Sequence, residues 1–151
     1  LYGATKGTLY AAGIAGDRFA VRNSGANAVI EGCGDNGCEY MTGGSVVILG
    51  EVGNNFGAGM TGGMAFVYDK EGTLPLRINL EDVFYQQQMT PHWEDILYEK
   101  IQHYLNETNS QHAKEILDNW DRNKYLFWQI IPKEMVNKFE EPVLVETTKT
   151  A

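Results

Sequence analysis

The first 72 residues carry a repeating alternation of glycine-rich polar turns and apolar runs. Gly16, Gly34, Gly53 and Gly72 stand 18, 19 and 19 residues apart. Each full unit opens on a polar turn: Gly16-Asp17-Arg18, Gly34-Asp35-Asn36, Gly53-Asn54-Asn55. It then passes through Ser24-Gly25, Thr42-Gly43 or Thr61-Gly62 into eight strand-like residues. A period near 19, made of one strand and one turn, predicts a parallel β-solenoid in which each coil buries its inner face only by stacking on the next. Helical repeats need units of about 33 residues or more.

Alignment on the glycines places Ala11, Val29, Ile48 and Val67 in one inward column and Leu9, Asn27, Val46 and Ala65 in another. Alternation sends Tyr10, Ala28, Val47 and Phe66, and Ala12, Ile30, Leu49 and Tyr68, outward. These outward columns are also apolar, and strands apolar on both faces are covered on both faces. The C-terminal helices or a neighbouring domain are therefore expected to lie on the outer sheet.

Beyond Gly72 the period changes. Residues 73–89 read as an extended linker with a strand-like run at 76–80. After Pro91, a favoured first-turn residue, Trp93, Ile96, Leu97, Ile101 and Tyr104 approximate the stripe of an amphipathic helix. Ala113, Ile116, Leu117 and Trp120 make a second stripe, with Ser110 its N-cap and Thr108 a competitor. The pair predicts a helical hairpin docked on the solenoid. The run at 125–131, ended by Pro132, admits a strand, residues 134–139 admit a further turn or two of helix, and the last residues are expected to fray. The expected division is 1–72 solenoid, 73–91 linker and 92–151 helical tail.

Composition narrows the partners. The 151 residues carry a net charge of −8, which disfavours nucleic acid and anionic membrane surfaces. No apolar run approaches the roughly 18 residues that span a bilayer, and no signal-like segment opens the chain. With only Cys33 and Cys38, a reduced cytoplasmic setting is expected.

The chemistry-bearing motifs read as structural. Gly57-Ala58-Gly59-Met60-Thr61-Gly62 fits GxGxxG, but a dinucleotide needs those glycines to open a helix. A strand, residues 64–68, follows instead. Cys33 and Cys38 have no second pair, and His92, His103 and His112 all lie in the tail, so a tetrahedral metal site has no complement of ligands. The register of Asp17 and Asp35 becomes Asn54, which breaks the aspartate column a calcium-binding roll requires. The glycines are expected at positive-φ corners, and Ser24, Thr42 and Thr61 as a hydroxyl ladder. No nucleophile or acid–base set completes itself around the histidines, and Trp93, Trp120 and Trp128 read as core or interface aromatics. No catalytic, cofactor-binding or metal-ligating residue is expected in this chain.

The repeat, above all Gly16-Asp17-Arg18-Phe19-Ala20-Val21-Arg22-Asn23-Ser24-Gly25, Gly34-Asp35-Asn36-Gly37-Cys38-Glu39-Tyr40-Met41-Thr42-Gly43-Gly44 and Asn55-Phe56-Gly57-Ala58-Gly59-Met60-Thr61-Gly62-Gly63, resembles the GXGXG domain of glutamate synthase. The tail residues Thr108-Asn109-Ser110, Ala113, Ile116-Leu117 and Trp120 are similar to that family's terminal helices. One departure is Asn36, where the family pattern has histidine. The resemblance implies a mainly β fold: the last coils of a right-handed parallel β-helix with a helical tail, lacking the family's earlier coils. The implied function is a non-catalytic scaffold in an enzyme that makes two glutamates from glutamine, 2-oxoglutarate and reducing equivalents. FMN and an iron–sulfur cluster then belong to other parts of the parent, and other domains of the same large subunit are the expected partners, with self-association of the fragment. The alternatives are a GXGXG subunit of another redox complex, of the formylmethanofuran dehydrogenase kind, and a stand-alone β-helix enzyme acting on carbohydrate. The charges Arg18, Arg22, Glu31, Glu39 and Glu51 are too scattered to form the catalytic face the last would need.

Overall fold

The computed structural model describes residues 1–144; the expected frayed end lies largely outside them. Four parallel strands, β1 (Thr8–Tyr10), β2 (Ser24–Ile30), β3 (Thr42–Ile48) and β4 (Gly62–Tyr68), stack coil upon coil. The solenoid has coils of about 19 residues, as the repeat predicts. The sheet then continues in a way the repeat does not foretell. Strand β6 (Phe127–Pro132) pairs antiparallel with β4, and β5 (Val83–Gln86) pairs antiparallel with β6, giving the order β1-β2-β3-β4-β6-β5.

The strand-like run at 76–80 is not a strand. Residues Leu74–Leu76 form a 3-10 turn, and Ile78 makes only an isolated bridge to Phe56. Pro75 explains this, since its fixed φ and missing N–H suit a turn and interrupt a ladder. Asp69 anchors the exit from β4: its carboxylate accepts from the backbone N–H of Thr73 at 2.9 Å and Leu74 at 3.0 Å, and from Trp128 Nε1 at 3.0 Å.

The register differs from the glycine alignment by one residue in the second coil. The observed inner neighbours are Ile30, Ile48 and Val67, with Ala28, Val46 and Ala65 beside them. Val29 lies instead with Tyr10, Val47 and Phe66 on the outer face, and Asn27 pairs with Thr8 and Ser45. The cause is a shift of register between Ser24 and Asn27. Turns pair at Gly16 and Gly34, 18 apart (34 − 16), whereas strands pair at Thr8 and Asn27, 19 apart (27 − 8). A one-residue slip moves every side chain to the opposite face.

The repeat glycines answer to closeness more than to φ. Gly34 and Gly53 are not left-handed; a Cβ on Gly34 would stand 2.0 Å from Asp17 Oδ1, and one on Gly53 would stand 2.3 Å from Asp35 Oδ1 and 2.5 Å from the backbone N of Asp35. The aspartates step from coil to coil: Asp17 Oδ1 accepts from Asp35 N at 2.9 Å, and Asp35 Oδ1 from Asn54 N at 2.7 Å. Positive φ falls on Arg18, Ala20 and Arg22 in one turn, Asn36, Cys38 and Tyr40 in the next, and Asn55, Gly57 and Gly59 in the third. The expectation that glycine fills these corners therefore holds only in the third coil among these turns. Left-handed non-glycine residues cost about 1–2 kcal/mol each, a strain that the ladder of inter-coil hydrogen bonds, such as Arg18 N to Asp35 O at 2.7 Å, offsets. The expected hydroxyl ladder does not form; Ser24 Oγ donates to Ala4 O at 3.1 Å.

Two cores result. The inner one runs up the coils from Phe19 through Met41 and Phe56 to Ile130. The outer one lies between the sheet and the helices, α1 (Pro91–Thr108), α2 (Gln111–Asp118) and α3 (Trp120–Asn123). The predicted cover of the outer sheet is thus the helical tail. A 3-10 turn at Lys133–Met135 occupies part of the stretch where more helix was expected.

Candidate functional site

The region where polar chemistry concentrates is the seam between the helices and the solenoid. Pro91 sits at the first turn of α1, and Leu97, Ile101 and Tyr104 are its buried stripe. The helix ends at Asn109 in the left-handed conformation, which asparagine adopts readily. Ser110 then caps α2, accepting from Ala113 N at 3.1 Å. The same hydroxyl donates to Glu31 Oε2 at 2.6 Å, while Thr108 is occupied with Tyr104 O at 2.7 Å. Tyr104 donates its phenol to the same Glu31 oxygen. Burial, followed by the hydrogen bond to Glu31 and its negative charge, pushes the phenol well above the usual tyrosine range. One carboxylate at the end of β2 therefore ties both long helices to the solenoid.

Further along the seam, His112 Nε2 lies 2.5 Å from Leu49 O, and its ring meets Tyr68 edge to face. Nearer β6, Gln86 Nε2 donates to Gln129 Oε1 at 2.8 Å, and Gln129 Nε2 points at Met64 Sδ at 3.1 Å. Among the described residues, no buried side-chain nitrogen or oxygen lacks a partner. Such an arrangement fixes position.

The residues singled out in the sequence do not converge. Cys33 and Cys38 are buried in the inner core. Burial pushes the Cys33 thiol up to about 12, against a backbone hydrogen bond from Gly53 and with Asp17's charge adding to it, and burial followed by the charge of Cys33 holds the Cys38 thiol well above the ordinary cysteine range. A thiol so held is a poor nucleophile, because the thiolate is the reactive form. His92 packs against Trp93 at the start of α1, His103 is on the exposed side of α1, and His112 is in α2. In the GxGxxG stretch, Gly62 opens β4, a strand, and Gly59 N–H is taken by Asp82 Oδ2 at 3.2 Å. Among the described residues, no three of His, Cys, Asp and Glu gather to hold a metal ion. No helix there is long and apolar enough to cross a membrane. Trp128 packs on the inner core and Trp93 and Trp120 on the outer one.

Sequence reading missed Glu31 and Tyr104 as a pair. Glu31 appeared as one scattered charge, and nothing periodic marks a residue whose partners lie 73 and 79 positions away. Its place directly after an apolar strand was the sole available signal.

Comparison with known proteins completes the account. Residues 1–133 match the family model described as the GXGXG motif. The chain is 60% identical over 143 residues to the glutamate synthase (NADPH) large chain of Azospirillum brasilense, covering 95% of this chain and 9% of that protein. It is 50% identical over 132 residues to the chloroplastic ferredoxin-dependent glutamate synthase 2 of Arabidopsis thaliana, covering 87% and 8% respectively. With the ferredoxin-dependent glutamate synthase of Cyanidium caldarium it shares 47% identity over 146 residues, 97% of this chain and 9% of that one. The chain therefore spans less than a tenth of the length of these relatives, and by its repeat, its coil geometry and this match it belongs to the GXGXG family, in the form found in glutamate synthase large chains.

Proposed function

We propose that this chain serves as the scaffold segment of a glutamate synthase large subunit, holding catalytic domains in place without making or breaking bonds itself. The observation that carries the reading is the 60% identity to a glutamate synthase large chain over 95% of this chain. The satisfied, internally directed polar groups of the seam support it. In this reading the parent converts glutamine, 2-oxoglutarate and reductant into two glutamates, FMN and an iron–sulfur cluster reside in its other domains, and those domains are this chain's partners. The proposed compartment is the cytoplasm.

Two experiments test the proposal together. Exchanging this chain for the corresponding segment of the Azospirillum brasilense large chain should preserve glutamate formation and the flavin spectrum. The purified 151-residue chain alone should be colourless and form no glutamate with a chemical reductant. A flavin band that stays with the chain through gel filtration, or glutamate formation by the chain alone, would overturn the non-catalytic reading; a folded but inactive exchange protein would overturn the glutamate synthase assignment.

A further inference from the structure

The outer face of the sheet begins with a polar row. Thr8, Asn27 and Ser45 stand beside one another on β1, β2 and β3, two positions before the apolar row of Tyr10, Val29 and Val47. Residues two apart on a strand share a face, so the polar row lies just beyond the surface that α1 seals. There Lys100 and, from the exposed side of the same helix, His103 stand beside it. With Thr8, Tyr10, Asn27 and Ser45 they line a cavity of about 190 Å³. At about 30 Å³ per water, that is room for roughly six waters, or for a small anion with part of its hydration shell.

The electrostatics of this cavity are opposite to those of the chain. The protein carries −8 overall, yet no aspartate or glutamate lines the cavity. Two other lysines of the tail are paired, Lys114 with Asp118 at 2.6 Å and Lys124 with Glu94 at 3.4 Å. Lys100 is half-buried and has no ion-pair partner among the described residues. Its ammonium is held below the ordinary lysine value by burial alone. Ser45 Oγ donates to Asn27 Oδ1 at 2.7 Å, which commits the oxygen of that amide and leaves its NH2 without a partner among the described residues.

We propose that this cavity binds a small oxyanion, a carboxylate or phosphate group, with Lys100 as its counter-charge and the Asn27 amide, the Thr8 hydroxyl and a His103 ring nitrogen as hydrogen-bond donors. A half-buried cation without a partner gains from such a ligand because an ion pair formed away from bulk water is screened less than one at the surface. The site is separate from the Glu31 clamp and independent of the scaffold reading.

The test is a titration of the 15N-labelled 151-residue chain with inorganic phosphate and, separately, acetate, at constant ionic strength balanced by sodium chloride. Saturable amide shifts centred on Thr8, Asn27, Ser45 and Lys100 are expected, with a Kd on the order of 1 mM. Lys100→Met should weaken binding about tenfold, as loss of one charge-assisted contact implies, while Lys100→Arg and Lys114→Met should stay near wild type. Comparing the two probes distinguishes carboxylate from phosphate. Shifts that never saturate for either probe, or a folded Lys100→Met that titrates like wild type, would overturn the proposal. Should Lys100→Met fail to fold, Asn27→Ala takes its place: unchanged affinity in that variant, like unsaturable wild-type shifts, would count against the site.

Discussion

Tyr104 in the middle of the helical tail donates its phenol to Glu31 at the end of the second coil, and Ser110 shares that carboxylate. The relation makes the covering helices and the solenoid one body. Hydrogen bonds to charged groups contribute about 1.5–3 kcal/mol. Tyr104→Phe should therefore destabilise the chain by about 2 kcal/mol, and Glu31→Gln by a similar amount, in urea denaturation monitored by circular dichroism. The pH dependence follows from the raised phenol. A group whose folded pKa exceeds its unfolded value near 10 lends stability that is full below about pH 10 and is lost as pH rises toward the folded pKa. Wild type should lose stability above about pH 10, and Tyr104→Phe should lose less; equal slopes for the two would contradict this account.

The repeat glycines offer a contrast within one motif. A Cβ on Gly16 meets nothing within 4 Å among the described residues, whereas on Gly53 it meets backbone at 2.5 Å. Gly16→Ala should change stability by less than about 0.5 kcal/mol. Gly53→Ala should cost about 3 kcal/mol, the upper end for overpacking, since rigid backbone cannot step aside. Equal melting temperatures for the two variants would show that inter-coil spacing is not what selects glycine here.

Inward and outward positions separate in the same way. Ile48 is fully buried in the inner core, and Glu51, three residues on, is exposed. Ile48→Ala should cost about 2–5 kcal/mol, and Glu51→Ala less than about 0.5 kcal/mol. Denaturation midpoints that coincide would refute the described packing.

Strand β1 is an edge of the sheet among the described residues, and Leu9 on it is 37% exposed. An edge with unpaired N–H and C=O groups templates another strand. Light scattering over a concentration series should show association of the 151-residue chain, and Leu9→Lys should reduce it. A monomer at high concentration would dismiss this expectation, as would association unchanged in a folded Leu9→Lys variant.

Much of this protein is written locally. The spacing of Gly16, Gly34 and Gly53 announces the coils, because Gly34 and Gly53 each repeat the same close approach to the coil before them. Ser110 as a cap and the stripes of α1 and α2 are legible because capping and helical burial depend on residues three or four apart. Even the cover over the outer sheet follows from apolar side chains on both faces of the strands. What the sequence by itself left undecided is what depends on distant residues. The face taken by Val29 and Ile30 turned on one extra residue between Ser24 and Asn27, invisible to an alignment on turns because strands and turns pair with different offsets. Strands β5 and β6 are short and mostly apolar, and they found partners only in the fold, β6 on the free edge of β4 and β5 on β6. Glu31 became a clamp, and Lys100 a cation beside a polar row with no ion-pair partner among the described residues, only when tertiary packing brought remote segments together.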